Sequence, residues 1–395
     1  MTDLRASFEV RTGAMCLLER ALMVRSTGGP PVIGVAVPEG LAPLLRERLS
    51  IPVNDFAALE RLKADATITL LHGGYIGPMQ PVVALKPGES IVDGGETVAA
   101  RLPRDAALRA LREGGEPAAS SSRPITQGAG VLRRPWDVIR FRDAALLHDL
   151  RLLSDRDTAT IPPGVTWFGR HEVSLDVSAR VYPTAVFDLE HGPIVVGPHA
   201  AIRPGAIVVG PAYIGPGSVI ADRAHIKANT AIGPMCKIGG EVGGSIIQGY
   251  SNKSHDGHLG DSWIGEWVNL GAGTTNSNLL NTYGEVTARA EAGAPNERTG
   301  LTFLGCCIGD HAKAAIGTRI MTGATVGTGT MFAASTHLAG AVRPFRWITD
   351  AGDKAYAFPK FFEVATAMMA RRKAAPSGAY ASRLEALHRA AGAAG

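Results

Sequence analysis

From Val196 onward an aliphatic side chain returns at every sixth residue: Val196, Ile202, Val208, Ile214, Ile220, Ile226, Ile232 and Ile238. Four places after each of the first seven stands a small residue: Ala200, Ala206, Ala212, Ser218, Ala224, Thr230 and Cys236. Glycine directly follows the aliphatic residue at Gly197, Gly215, Gly233 and Gly239. The rhythm resumes at Ile308, Ala314, Ile320, Val326 and Phe332, with Ala312, Thr318, Ala324 and Thr330 as small partners. A period of six is neither the 3.6 of a helix nor the alternation of a lone strand. It is the period of a hexapeptide parallel β-helix, in which each short strand forms one side of a triangular coil. The aliphatic residue fills the interior, the small one sits at a tight corner, and glycine accepts the turn's unusual φ. The predicted fold is therefore mainly β, with the β-helix over residues 161–348. Forty-eight glycines and only 6% aromatic residues agree with it.

Residues 1–130 follow a different pattern. PPVIGVAV (30–37) reads as a buried strand, GLAPLLRERL (40–49) as an amphipathic helix, and TITLLHGGYI (67–76) and QPVVAL (80–85) as further strands. That is a small α/β domain. The Ser-, Pro- and Gly-rich stretch 113–130 reads as a mobile connection. Residues 131–160 read as a helical link, and 349–395 as C-terminal helices that cap or buttress the array. NTYGEVTARAEAGAPNERTG (281–300) breaks the six-residue rhythm and must leave the coil as a loop, either a lid or a surface excursion.

Composition excludes several functions. Lys and Arg number 40 against 36 Asp and Glu, with no dense basic run, so nucleic acid is not an expected partner. The small basic excess suits anionic metabolites. The four cysteines, Cys16, Cys236, Cys306 and Cys307, form no CxxC pair and read as buried hydrophobes in a reducing compartment. No apolar run reaches the ~18 residues of a membrane span, and MTDLRASFEVRTG lacks a signal peptide's apolar core. A cytoplasmic location is expected.

The stretch NKSHDGHLGD (252–261) packs a lysine, two histidines and two aspartates among glycines. Together with FEVRTGAMCLLER (8–20), PVND (52–55), LRRPWDVI (132–139) and the remainder of 236–279, it resembles one family. That is the sugar nucleotidyltransferase family related to the bacterial bifunctional N-acetylglucosamine-1-phosphate uridylyltransferase/glucosamine-1-phosphate acetyltransferase. The wider likeness is to left-handed β-helix acyltransferases, and the handedness is an implication of that likeness. The resemblance implies a homotrimer with sites between neighbouring coils. It also implies acetyl-CoA as co-substrate, an amino-sugar phosphate or nucleotide sugar as acceptor, and a place in making cell-envelope precursors. His255 falls where the family has its general base, and imidazole suits that role with an ordinary pKa of ~6.5. The resemblance places Arg203, Glu241, His258, Asn269 and Asn278 as substrate contacts, and Ala272 and Ala334 along the cofactor. A solvated turn residue is the plain alternative for each.

The chain also departs from the family pattern. Gly243 stands where a sugar-phosphate lysine is expected, and LLNTYGEV (279–286) lacks a second one. Lys227, Lys253 and Arg289 are the available substitutes. The front domain lacks the G-x-G-T-R-M phosphate loop of the bifunctional enzymes and reads as degenerate and nucleotidyltransferase-like. Arg11 and Asp137 are its polar candidates, the alternatives being a surface Arg and a helix-start Asp. The leading expectation is an acetyl-CoA-dependent N-acyltransferase. The alternatives are a sugar-1-phosphate nucleotidyltransferase, which alone would need Mg2+, and a non-catalytic sugar- or nucleotide-binding trimer.

Overall fold

The chain's structure, a computed structural model, describes residues 1–154 and 159–393. Residues 155–158 of the expected 131–160 link lie outside these. The chain divides into two units: Thr2–Val10 with Met15–Arg133, and Met1, Arg11–Ala14 and Arg134–Gly395.

The larger unit is a parallel β-helix with three faces. The first face runs through six strands, from Thr166–Gly169 to His258–Gly260. The second has nine, from Val173–Leu175 to Ala341–Val342, and the third nine, from Arg180–Val181 to Arg346–Thr349, to which Gly352–Ala355 adds antiparallel. Parallel register stacks like on like: Val208 lies beside Ile226 and then Val242, and Ile214 beside Ile232 and then Ile247. All eight six-spaced aliphatic residues are at most 1% exposed. Each such burial is worth roughly 1.5–3 kcal/mol, so the repeat itself supplies the core. Ala200, Ala206, Ala212, Ser218, Ala224, Thr230 and Cys236 are likewise shut in. Cys236, Cys306 and Cys307 are free and buried, and burial pushes each thiol up to about 12.

The glycines after the aliphatic residues do a different job from the one expected. The positive-φ corner between the second and third faces is occupied by His199, Gly217, Met235, Tyr250, Trp267, His311, Gly329 and Phe345, with φ between 53° and 73°. Gly215 and Gly233 are instead needed for close approach of the next coil. A Cβ on Gly233 would lie 2.1 Å from the Gln248 carbonyl oxygen, and one on Gly215 2.7 Å from that of Ile232.

Helices cover parts of this coil. Asp137–Ser154 lies against second-face strands through Leu146 and Leu150, both fully buried. Its Arg142 donates to Asp261 Oδ1 at 2.7 Å and to the Gly244 carbonyl, at the corner between first and second faces. Phe358–Ala370 and Gly378–Ala393 pack on the aromatic corner. Phe361 meets Phe345 edge-on at 5.0 Å, and the Tyr380 hydroxyl lies 2.7 Å from His311 Nε2. The insertion forms a small hairpin, Thr287–Ala288 against Glu297–Arg298. Val286, Ala288 and Leu304 pack there on Trp136 and Ile139. Asp137 is the helix-start residue, accepting from the Arg134 amide at 2.7 Å. Arg11 is not on the surface: it is 6% exposed, and its backbone amide donates to Gln248 Oε1 at 2.8 Å.

The smaller unit is built on a four-stranded sheet in the order Thr67–Leu71, Glu96–Pro103, Glu89–Asp93, Ser121–Pro124. Helix Ala42–Arg48 forms where the amphipathic pattern predicts it. Three expectations fail for local reasons. PPVIGVAV makes only a single bridge, Val35 to Val53, because Pro30 and Pro31 have no N–H to give a ladder and Gly34 weakens a strand interior. QPVVAL is one helical turn, Gln80–Val83, started by Pro81, whose ring suits the first turn. The 113–130 stretch carries an ordered edge strand, Ser121–Pro124, paired parallel to Glu89–Asp93. Among the described residues no helix is long and apolar enough to cross a membrane.

Candidate active site

His255 sits at the corner where the coil turns from the third face, at Asn252–Lys253, to the first, at His258–Gly260. The glycine-rich sequence makes this corner narrow. Gly240, Gly257 and Gly273 stack there with φ of 68°, 119° and 72°, a region that side-chain-bearing residues rarely adopt. A Cβ on Gly257 would also lie 2.1 Å from the Thr274 carbonyl oxygen. The His255 imidazole is exposed, and no hydrogen bond to it forms within the described residues.

Two clefts meet at this imidazole. One, of about 400 Å³, runs onto the third face and is lined by Lys237, Asn252, Asn269 and Ala272, with Arg371 and Arg372 from just beyond helix Phe358–Ala370. Arg372 is fixed there by donating to Asn252 Oδ1 at 2.6 Å and to the Met235 carbonyl at 3.1 Å. The other, of about 880 Å³, adds Arg223, Asp256 and Gly317 around the same corner. Ser254, His255, Ala272 and Ile316 belong to both. Ile316 is 80% exposed despite its apolar side chain.

On the first face, just past the corner, Glu241 and His258 are register neighbours. Glu241 Oε1 lies 3.0 Å from Lys227 Nζ and 3.2 Å from His258 Nδ1. Lys227's hydrogen bond is the main reason that the Glu241 carboxyl is held below the ordinary carboxylate range. The place of the missing lysine is instructive. A Cβ on Gly243 would lie 3.0 Å from Lys227 Cβ, so the Lys227 stem drapes over Gly243 from one coil below. Asn278 donates to Asp261 Oδ2 at 2.7 Å, and its amide converges with His258 Nε2 over Gly260.

The structure thus brings His255, Asn269 and Ala272 to one corner and joins Glu241, His258 and Asn278 beside it. Ala334 extends the Ala272 line. The Leu270–Ala314–Phe332 register, carried two residues on, stacks Ala272, Ile316 and Ala334 along the coil. Arg203 is not brought in. It sits three coils from the Asn252–Lys253 strand, stacked 4.6 Å from the Tyr182 ring and 3.4 Å from Asp222. At ~4.8 Å per coil that is ~14 Å along the axis. The arginines that line the clefts are Arg223, Arg371 and Arg372. Arg371 and Arg372 lie over a hundred residues from the motif, where no spacing rule reaches. Of the other substitute cations, Lys253 points into the coil, and Arg289 bonds Asn296 within the hairpin.

Residues 1–158 match the family model described as sugar nucleotidyl transferase. The bifunctional protein GlmU of Synechococcus elongatus is 28% identical over 165 residues, which cover 36% of this chain and 36% of that protein. Its counterpart in Ralstonia nicotianae is 26% identical over 238 residues, covering 54% and 49%. The chain is thus similar to GlmU proteins over part of its length. It spans about half or less of the length of these relatives. The UDP-N-acetylglucosamine acyltransferase of Francisella novicida is 18% identical, over 55% of this chain and 75% of that one, with a TM-score of 0.31.

Proposed function

We propose that this GlmU-related chain is an acetyl-CoA-dependent N-acyltransferase whose acceptor is an amino-sugar phosphate or a sugar nucleotide. One observation carries the reading: the His255 imidazole stands where two clefts meet, one of them lined by Lys237, Arg371 and Arg372, and the next strand along the chain carries His258 paired with Glu241. Lys237, Arg371 and Arg372 around the 400 Å³ cleft are the donor set that suits the phosphates of an acyl-CoA, arginine forks gripping them in pairs. Glu241, His258 and Asn278 offer acceptors and donors to ring hydroxyls, with Lys227 beside them for an acidic group. His255 takes the proton from the acceptor's amino group as its nitrogen attacks the thioester carbonyl. The C–N bond forms, the C–S bond breaks, and the sulfur leaves as a thiol once protonated. The same reading makes the protein a cytoplasmic homotrimer, tested by light scattering against three times 41.3 kDa.

A second reading is favoured by the family model over residues 1–158: transfer of a nucleotidyl group to a sugar 1-phosphate, with Mg2+. Incubating the protein with acetyl-CoA and a panel of amino sugars, amino-sugar phosphates and nucleotide sugars, with free thiol as the readout, tests the first. An NTP, a sugar 1-phosphate and Mg2+, with pyrophosphate as the readout, tests the second. Thiol release dependent on one acceptor establishes the acyltransferase. Pyrophosphate alone establishes the alternative, and silence in both leaves a binding protein.

A further inference from the structure

The interior of the coil carries aliphatic side chains at its regular places, and two places beneath the candidate site break the rule. Lys253 falls on the six-residue rhythm between Ile247 and Leu259 and is the register partner of Ile238, yet it is a lysine only 2% exposed. Asn276 falls six residues after Leu270, in register with Ile320, and is 6% exposed. An ammonium or an amide inside an apolar coil is costly unless its hydrogen bonds are made. Both make them, Lys253 at the corner that carries His255 and Asn276 at the end of the strand His258–Gly260 that follows it. Lys253 Nζ donates to the His255 carbonyl at 2.8 Å and to the Gly239 carbonyl at 3.1 Å. Asn276 grips Gly260 twice, accepting from its N–H at 2.8 Å and donating to its C=O at 2.9 Å. Asn276 also donates to Ser262 Oγ at 3.1 Å.

We propose that Lys253 and Asn276 are positioning residues that hold the 254–260 loop from inside the coil, one beneath His255 and the other beneath His258. This rests on the reading of His255 as the base. Neither residue can touch substrate, since both point into the interior, so they act only through the loop. The physical logic is a trade. An aliphatic residue at either place would add apolar burial but leave the His255 or Gly260 backbone without its partner, and a corner rich in glycine has little stiffness of its own. Burial also pushes the Lys253 ammonium down to about 8, the mark of a charge kept inside at a cost.

Lys253→Met and Asn276→Leu keep the volume and remove the grip. Two readouts are taken on each: hydrogen exchange of the amides at 254–260, and kcat with KM for the acyl donor. The expected result is faster exchange confined to 254–260, with kcat falling ~10- to 100-fold, as a base displaced by about an ångström would give, and donor KM within about twofold. Should Lys253→Met not fold, Asn276→Leu carries both readouts. Unchanged exchange in that loop, or exchange rising evenly along the coil, overturns the proposal. If the wild type releases no thiol with any acceptor, the acyltransferase reading fails while the exchange result still decides whether the loop is held this way.

Discussion

Between Val196 and Ile238 every regular interior place is aliphatic, and each coil takes 18 residues, as from Ala212 to Thr230. Between Ile246 and Asn276 coils shorten to 17, as from Ile246 to Trp263, and two interior places turn polar. The first stretch builds its core by stacking like side chains at like interior places, while the residues it lends to the site, Arg223, Lys227 and Lys237, stand exposed on the outside of the coil. The second gives up apolar burial for hydrogen bonds that shape one corner. Regularity inside this coil marks where the fold is made, and departure from it marks the corner that carries His255.

The largest effects should come from breaking the regular stretch. Ile226→Ala removes a fully buried side chain from a stack that cannot collapse around the gap, and should cost ~2–5 kcal/mol in urea unfolding. A loss below ~1 kcal/mol would mean that the coil repacks freely. Next, Gly233→Ala forces a methyl against the Gln248 backbone and should cost ~1–3 kcal/mol. Gly284→Ala, in the insertion, meets only Thr282 Oγ1 at 3.6 Å and should leave the melting temperature unchanged. Equal effects at the two glycines would erase the distinction between coil and excursion.

The repeat made most of this legible. Interior residues and the helical nature of 137–154 follow from period and pattern alone, whereas the positive-φ corner does not, since His199, Met235, Tyr250 and Trp267 hold it and Gly197, Gly215, Gly233 and Gly239 do not. The small unit was harder, because Pro30, Pro31 and Pro81 reverse what hydrophobicity suggests over 30–37 and 80–85. The motif at 252–261 placed His255, but it could not show that Arg203 lies three coils away, or that Arg371 and Arg372 fold back over Asn252. Lys227 covering Gly243 from the coil before it depends on which residues face each other across coils of unequal length, and such register is invisible in a single sequence.

The polar stretch gives subtler tests. The folded pKa of Lys253 is about 8 against an ordinary 10.5. Between those values the unfolded chain keeps a proton that the folded chain has lost, so stability from this residue rises as pH climbs through the window. Lys253→Met should flatten that part of the stability–pH curve. Lys313, also at about 8 through burial, is present in both proteins and cancels. Identical slopes would show that the interior charge costs nothing. Smallest of all, Lys227→Met should change stability by less than ~1 kcal/mol, as for other exposed ion pairs, while raising acceptor KM several-fold. An unchanged KM would remove Lys227 from the acceptor surface.

The central claim is that the exposed His255 imidazole at the shared corner is the base of an acyl transfer. Its most direct test compares wild type and His255→Ala for thiol release from acetyl-CoA with the acceptor that the wild type uses best. The account predicts a fall in kcat of ~10²–10⁴, with acetyl-CoA affinity nearly unchanged because the imidazole meets only the donor's reacting end. Full turnover by His255→Ala would contradict it and leave NKSHDGHLGD as a turn on a structural coil.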